Sequence, residues 1–85
     1  MLLNMNKTEI KKKIITVISL ILNVPINKIK SKSGPDNFED WDSLKHLNII
    51  LAIEEEFSIK FTNKELIDLL DIDTILETIN EKINK

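Results

Sequence analysis

Apolar residues recur along the N-terminal third at the three-and-four spacing of one helix face: Ile10, Ile14, Val17, Ile18 and Ile21. Lys11, Lys12 and Thr16 fall off that face. The pattern predicts a first helix from about Lys7 to Leu22, stopped by Asn23 and Pro25. Periodicity then fades from residue 23 to residue 42. Val24, Ile26 and Ile29 are expected to tuck under the bundle, with Ile26-Asn27-Lys28-Ile29 as a short turn, and Ser33-Gly34-Pro35-Asp36-Asn37 is a breaker cluster. An irregular loop of that length is unusual in a small domain and often functional.

A second helix is expected from Ser43 to about Phe57, with Asp42 as its N-cap. Leu44, Leu47, Ile49, Ile50, Leu51, Ile53 and Phe57 nearly encircle it, more surface than one neighbour covers. Either the helix is central, or part of its apolar surface serves a ligand or partner. If Ile49, Ile50, Ile53 and Phe57 face inward, Leu44, Asn48, Leu51 and Glu55 form an outward stripe. Thr62-Asn63-Lys64-Glu65 reads as a capping box opening a short third helix through Leu70. Asp71-Ile72-Asp73 is expected to break the chain, and Thr74-Ile75-Leu76-Glu77 to cap a last helix reaching about Ile83. Ile75, Leu76, Ile79 and Ile83 are its expected buried side.

Composition supports this all-α reading. Eighty-five residues make a single domain, residues 1–85, with residues 1–6 expected to be a flexible N-terminus. One glycine and two prolines supply too few tight turns for a sandwich or barrel. The 42% apolar content is mostly Ile and Leu. Cysteine is absent, and one histidine cannot build a zinc site, so no resident metal is expected. Asp36, Glu39, Asp40 and Asp42 lack the calcium-loop spacing.

Charge is uneven. Residues 1–34 hold seven lysines and one acid, while residues 35–85 hold five lysines and thirteen acids. The acidic C-terminal part opposes nucleic acid and favours basic partner surfaces. Lys11-Lys12-Lys13, without arginine or a stacking aromatic, reads as a solvated helix face. Met1-Leu2-Leu3 does not make a signal peptide, and the apolar run from Ile14 to Leu22 is too short to span a bilayer. A soluble, cytoplasmic monomer with no membrane partner is expected.

The chemistry concentrates at Asp42-Ser43-Leu44. A helix start gathers unpaired N–H groups and the positive end of the dipole, so it welcomes an anion. Ser43 there is well placed to carry an attached phosphate. His46, one turn on, raises the alternative of a nucleophilic serine. No oxyanion hole or glycine-rich elbow accompanies it, so no catalytic residues are assigned. Glu54-Glu55-Glu56 reads as a solvated helix end, or as an addition to a negative docking surface.

The string from Asp42-Ser43-Leu44 through Leu47, Ile50 and Ala52 to Glu54-Glu55-Glu56-Phe57 resembles the acyl carrier proteins and related phosphopantetheine-binding carrier domains. The resemblance covers roughly Ile10 to Ile83. It implies a four-helix bundle with a long first loop and a short third helix. It implies that Ser43 bears 4′-phosphopantetheine, donated from coenzyme A by a separate transferase, and that the arm's thiol carries acyl groups as thioesters. The residue matching Asp42 helps position Mg²⁺ during that transfer, so Asp42 is expected to assist loading. Partners would be the phosphopantetheinyl transferase and the enzymes that load and unload the acyl group. Trp41, Leu44, Lys45, Asn48, Leu51 and Glu55 are the candidates for partner recognition, with Trp41 also a candidate loop anchor. Ile49, Ile53, Phe57 and Ile67 are the candidates for lining an acyl pocket.

Fatty-acid-synthesis members typically carry Gly-x-Asp-Ser-Leu and an acidic second helix. Here Asp40-Trp41 precedes Asp42, and Lys45, His46 and Asn48 follow. Trp-Asp-Ser-Leu is similar instead to discrete carriers of specialised pathways, such as polyketide, nonribosomal peptide or polysaccharide modification. The alternative is a small helical interaction module without a prosthetic group.

Overall fold

A computed structural model describes residues 5–30 and 32–84. Among the described residues the regular structure is helical: α1 (Lys7–Leu22), α2 (Ser43–Phe57), α3 (Asn63–Asp68) and α4 (Ile72–Ile83), with 3-10 turns at Ile26–Lys28 and Pro35–Asn37. This is the four-helix bundle that the periodicity predicts.

Each start has a local cause. Asn6 caps α1, its side-chain oxygen accepting from the Glu9 N–H at 2.9 Å while Glu9 accepts from the Asn6 N–H at 3.1 Å. Residues 5 and 6 of the expected flexible terminus are therefore tied down, and residues 1–4 lie outside the described residues. Thr62 and Glu65 form the predicted box at α3. The last helix starts earlier than the sequence suggests. Asp71, not Thr74, is the N-cap of α4, and its carboxylate accepts from both the N–H and the hydroxyl of Thr74, at 2.8 and 2.6 Å. With its hydroxyl donating to Asp71, Thr74 sits inside the first turn, and Ile72 and Asp73 become helical. The third helix also stops at Asp68, short of Leu70.

α1 packs against α2 and α4. Ile10, Ile14 and Ile18 meet Ile49 and Ile53 of α2 and Ile72, Ile75 and Ile79 of α4 in one core cluster, all of them fully buried. Val24 packs against this cluster and Ile29 joins it, whereas Ile26 is 56% exposed, because its 3-10 turn aims it outward rather than under the bundle. No described helix is long and apolar enough to cross a membrane.

The long first loop is anchored. Its backbone reaches the α3–α4 corner, where the Ser33 carbonyl accepts from the Ile72 N–H at 3.1 Å. Gly34 lies directly against Leu70, so that a Cβ there would collide with the Leu70 carbonyl oxygen. The Ser33 hydroxyl, itself buried, accepts from the Lys30 N–H at 2.8 Å. The loop is thereby a fixed wall leading into α2.

Candidate functional site

Asp42 holds an extended backbone (φ −90°, ψ −174°), and its Oδ1 accepts from the Lys45 N–H at 2.9 Å. That bond satisfies one of the free donors of the first turn. Ser43 follows as the first helical residue, exposed, and its hydroxyl has no partner among the described residues. The serine thus stands open at the positive end of a 15-residue helix, beside a capping carboxylate. Glu39 and Asp40, in the turn just before, are also exposed.

His46 does not serve Ser43 as a base. Its Nδ1 accepts from the Trp41 indole N–H at 3.0 Å. With that nitrogen engaged, the ring proton resides on Nε2, on the side of the ring that faces the backbone of Leu69. Burial disfavours the imidazolium and pulls the His46 pKa below its ordinary 6.5, and the hydrogen bond to Leu69 opposes this only in part. No lone pair remains to take the serine proton, so the nucleophilic-serine alternative loses its general base.

The proposed recognition residues divide. Leu44 is 66% and Leu51 53% exposed, and Asn48 and Glu55 are also exposed. Lys45 is half-buried. The stripe expected to face outward does so. Trp41 is the exception. It is 2% exposed and packs in the core beside Phe38, with ring centroids 6.2 Å apart. A large indole ending the first loop finds its apolar seat inside and its polar partner in His46, which leaves no surface for a visitor. It is the loop anchor.

The proposed acyl-pocket residues also divide. Ile49 and Ile53 are fully buried and Phe57 packs against them. Ile67 is 72% exposed on α3 and does not join them, because that helix turns Leu69, beyond its end, into the core instead. The clefts that open on the surface lie elsewhere. One of about 320 Å³ runs between α1 and α2, lined by Val17, Leu20, Ile21, Ala52, Glu55 and Glu56. Another, of about 580 Å³, lies at the end of α2 around Leu51, Glu54, Ser58 and Ile59.

Sequence reasoning missed Leu47, Leu66 and Leu70, which are 52%, 39% and 64% exposed. Ser43, Leu47 and Leu51 recur every fourth residue, so they share one stripe of α2. The segment around α3 is tied to α2 where Glu54 Oε2 accepts from the Phe61 N–H at 2.8 Å, and its buried Leu69 lies beside His46. The spacing of Leu47 from Ser43 was readable. The exposure of Leu66 and Leu70 required knowing that α3 is only six residues long.

The bundle and its exposed, capped helix start at Ser43 fit the family that the Asp42-Ser43-Leu44 string resembles. Comparison with known proteins agrees. No family model matches the chain. It is 34% identical over 77 residues to the acyl carrier protein of Buchnera aphidicola subsp. Schizaphis graminum, covering 91% of this chain and 98% of the relative. It is 32% identical over 75 residues to that of Buchnera aphidicola subsp. Baizongia pistaciae (88% and 96% covered), and 29% identical over 79 residues to that of Thermosynechococcus vestitus (93% and 98% covered). The chain belongs to the acyl carrier protein family, whose members are carriers rather than enzymes.

Proposed function

We propose that Ser43 carries 4′-phosphopantetheine and that this chain presents acyl groups, held on that arm as thioesters, to partner enzymes. The observation that carries the reading is the exposed, unpartnered Ser43 hydroxyl at the start of α2, directly after the capping Asp42, in a member of this family. When attached, the arm supplies a thiol that this cysteine-free chain lacks. The chain's own contribution is the anion-favouring helix start for the phosphodiester and a surface for the visiting enzyme.

That surface is apolar rather than acidic. From Ser43 to Ile53 α2 contains no carboxylate, and Lys45 is its one formal charge with His46 neutral. Leu44, Leu47 and Leu51 of α2 are exposed apolar side chains close to the serine in sequence, and Leu66, Ile67 and Leu70 add exposed apolar surface at α3 and just beyond it. This composition favours enzymes with apolar docking surfaces, and with Trp41-Asp42-Ser43-Leu44 it supports the specialised-pathway role. Sheltering an acyl chain among Ile49, Ile53 and Phe57 would require the closed core to part.

The test is intact mass after incubation with coenzyme A, Mg²⁺ and a broad-specificity phosphopantetheinyl transferase. Wild type gains one phosphopantetheine and Ser43→Ala gains none. A wild-type protein that stays unmodified overturns the proposal.

A further inference from the structure

The chain contains one tryptophan and one histidine, and the fold joins them. The indole of Trp41 donates to His46 Nδ1 at 3.0 Å, with ring centroids 6.0 Å apart and planes inclined by 32°. The other imidazole nitrogen, which must carry the proton, faces the backbone of Leu69. Trp41 is 2% and Leu69 0% exposed. The Trp41 bond staples the loop before α2 to the first turn of α2 itself.

None of the six residues of α3 is buried. The segment is held by Phe61 N–H to Glu54 at 2.8 Å, by the Glu65–Lys82 ion pair at 2.9 Å and by the burial of Leu69. His46 lies one turn from Ser43 on α2. The first turn of α2 also has its incoming backbone fixed by Trp41, two residues before the serine.

We propose that His46, as its Nε2–H tautomer, is a positioning residue for Ser43: by holding the buried Trp41 through Nδ1 it fixes the loop entry and the first turn of α2 in the arrangement that an enzyme visiting the serine must match. The inference rests on the carrier reading above, and it goes beyond it by assigning His46 a role in presentation. Misplacing the serine relative to the docking surface weakens productive engagement while leaving the chemistry, which the transferase performs, unchanged.

Three substitutions isolate that bond. His46→Asn keeps an acceptor near the Nδ1 position and can retain the Trp41 bond. His46→Gln keeps a donor near the Nε2 position and loses the Nδ1 acceptor. His46→Leu keeps bulk and neither. Imidazole nitrogen chemical shifts of the unloaded wild type at about pH 7.5 report the tautomer directly, and Nε2–H is expected. In steady-state loading with coenzyme A, Mg²⁺ and a broad-specificity transferase, His46→Leu raises the KM for the carrier about tenfold with kcat within about twofold of wild type. Gln follows Leu, and Asn stays closer to wild type. An Nδ1–H tautomer, or His46→Leu with the wild-type KM, overturns the proposal. If His46→Leu loses its helical circular dichroism, a wild-type KM for Gln overturns it. Failure of the wild type to load refutes the carrier reading instead, and the tautomer measurement still decides the His46 geometry.

Discussion

Asp42 combines two roles that substitution can separate. In the structure its Oδ1 accepts the Lys45 N–H at 2.9 Å, and its charge lies at the positive end of α2. Removing a capping side chain in favour of alanine costs about 1 kcal/mol. Losing a negative charge at an exposed helix start costs about 0.3–1 kcal/mol more. Asp42→Ala is therefore expected to lose about 1–2 kcal/mol in total, which for a domain of this size lowers Tm by roughly 4–8 °C per kcal/mol. Asn caps nearly as well as Asp, so Asp42→Asn is expected to lose only the charge contribution, about 0.3–1 kcal/mol. Thermal unfolding followed by far-UV circular dichroism measures both. Loading of Ser43 gives the second axis. If the carboxylate's charge assists transfer, both variants drop in kcat/KM by about tenfold or more, although their stabilities differ. Asp42→Asn loading at the wild-type rate would reduce Asp42 to a cap. Asp42→Ala with unchanged Tm would refute the capping argument.

Gly34→Ala is expected to destabilise by about 1–3 kcal/mol, the range for overpacking, because its Cβ would meet backbone rather than a movable side chain; urea unfolding checks this, and a loss below about 0.5 kcal/mol would show that the loop yields easily. Stability should also fall on acidification. Burial lowers the His46 pKa in the fold, so the unfolded chain binds the proton more readily; the contribution is complete above the unfolded value of 6.5 and is lost as pH falls through the lower folded value. The neighbouring charges Asp42, Lys45, Asp68 and Asp71 are not among the causes of that shift. A second acid-side loss follows at lower pH from Glu65, held down first by the Lys82 hydrogen bond, and Asp71, held down first by the Thr74 hydroxyl, whose ordinary values are 4.5 and 3.8. Unfolding midpoints measured from neutral to acid pH check both, and His46→Asn should remove only the first loss.

The helices were legible where periodicity and caps agree. Ile10 to Ile21 and the Asp42 cap define α1 and α2 without tertiary information. Thr74 shows where local reading fails. The Thr-x-x-Glu pattern is a true capping signature in isolation, but Asp71 three residues earlier offers a carboxylate, and Thr74 donates to it. Two candidate caps compete, and the acid wins. Ile26 and Ile67 failed for a related reason: an apolar residue in a single turn or a six-residue helix has too little periodic context to reveal its direction. The exposed position of Ser43 at the start of α2 was legible because its signal is local, a hydroxyl directly after a capping residue. Trp41 was not decidable, since an indole suits either an interior or an interface, and its destination depended on a partner five residues away.

The anatomy of α3 divides the molecule's resistance to opening. α1, α2 and α4 share their fully buried isoleucines, whereas Asn63–Asp68 inserts no side chain into that core and is retained by its margins. Local opening of such a strap leaves the isoleucine core of the other helices largely intact, so its free energy lies well below that of global unfolding. Amide hydrogens there exchange with solvent through this shallow opening, while those in the middle of α1 wait for the whole molecule. Rearranging this strap therefore costs less than disturbing the isoleucine core that the other three helices share.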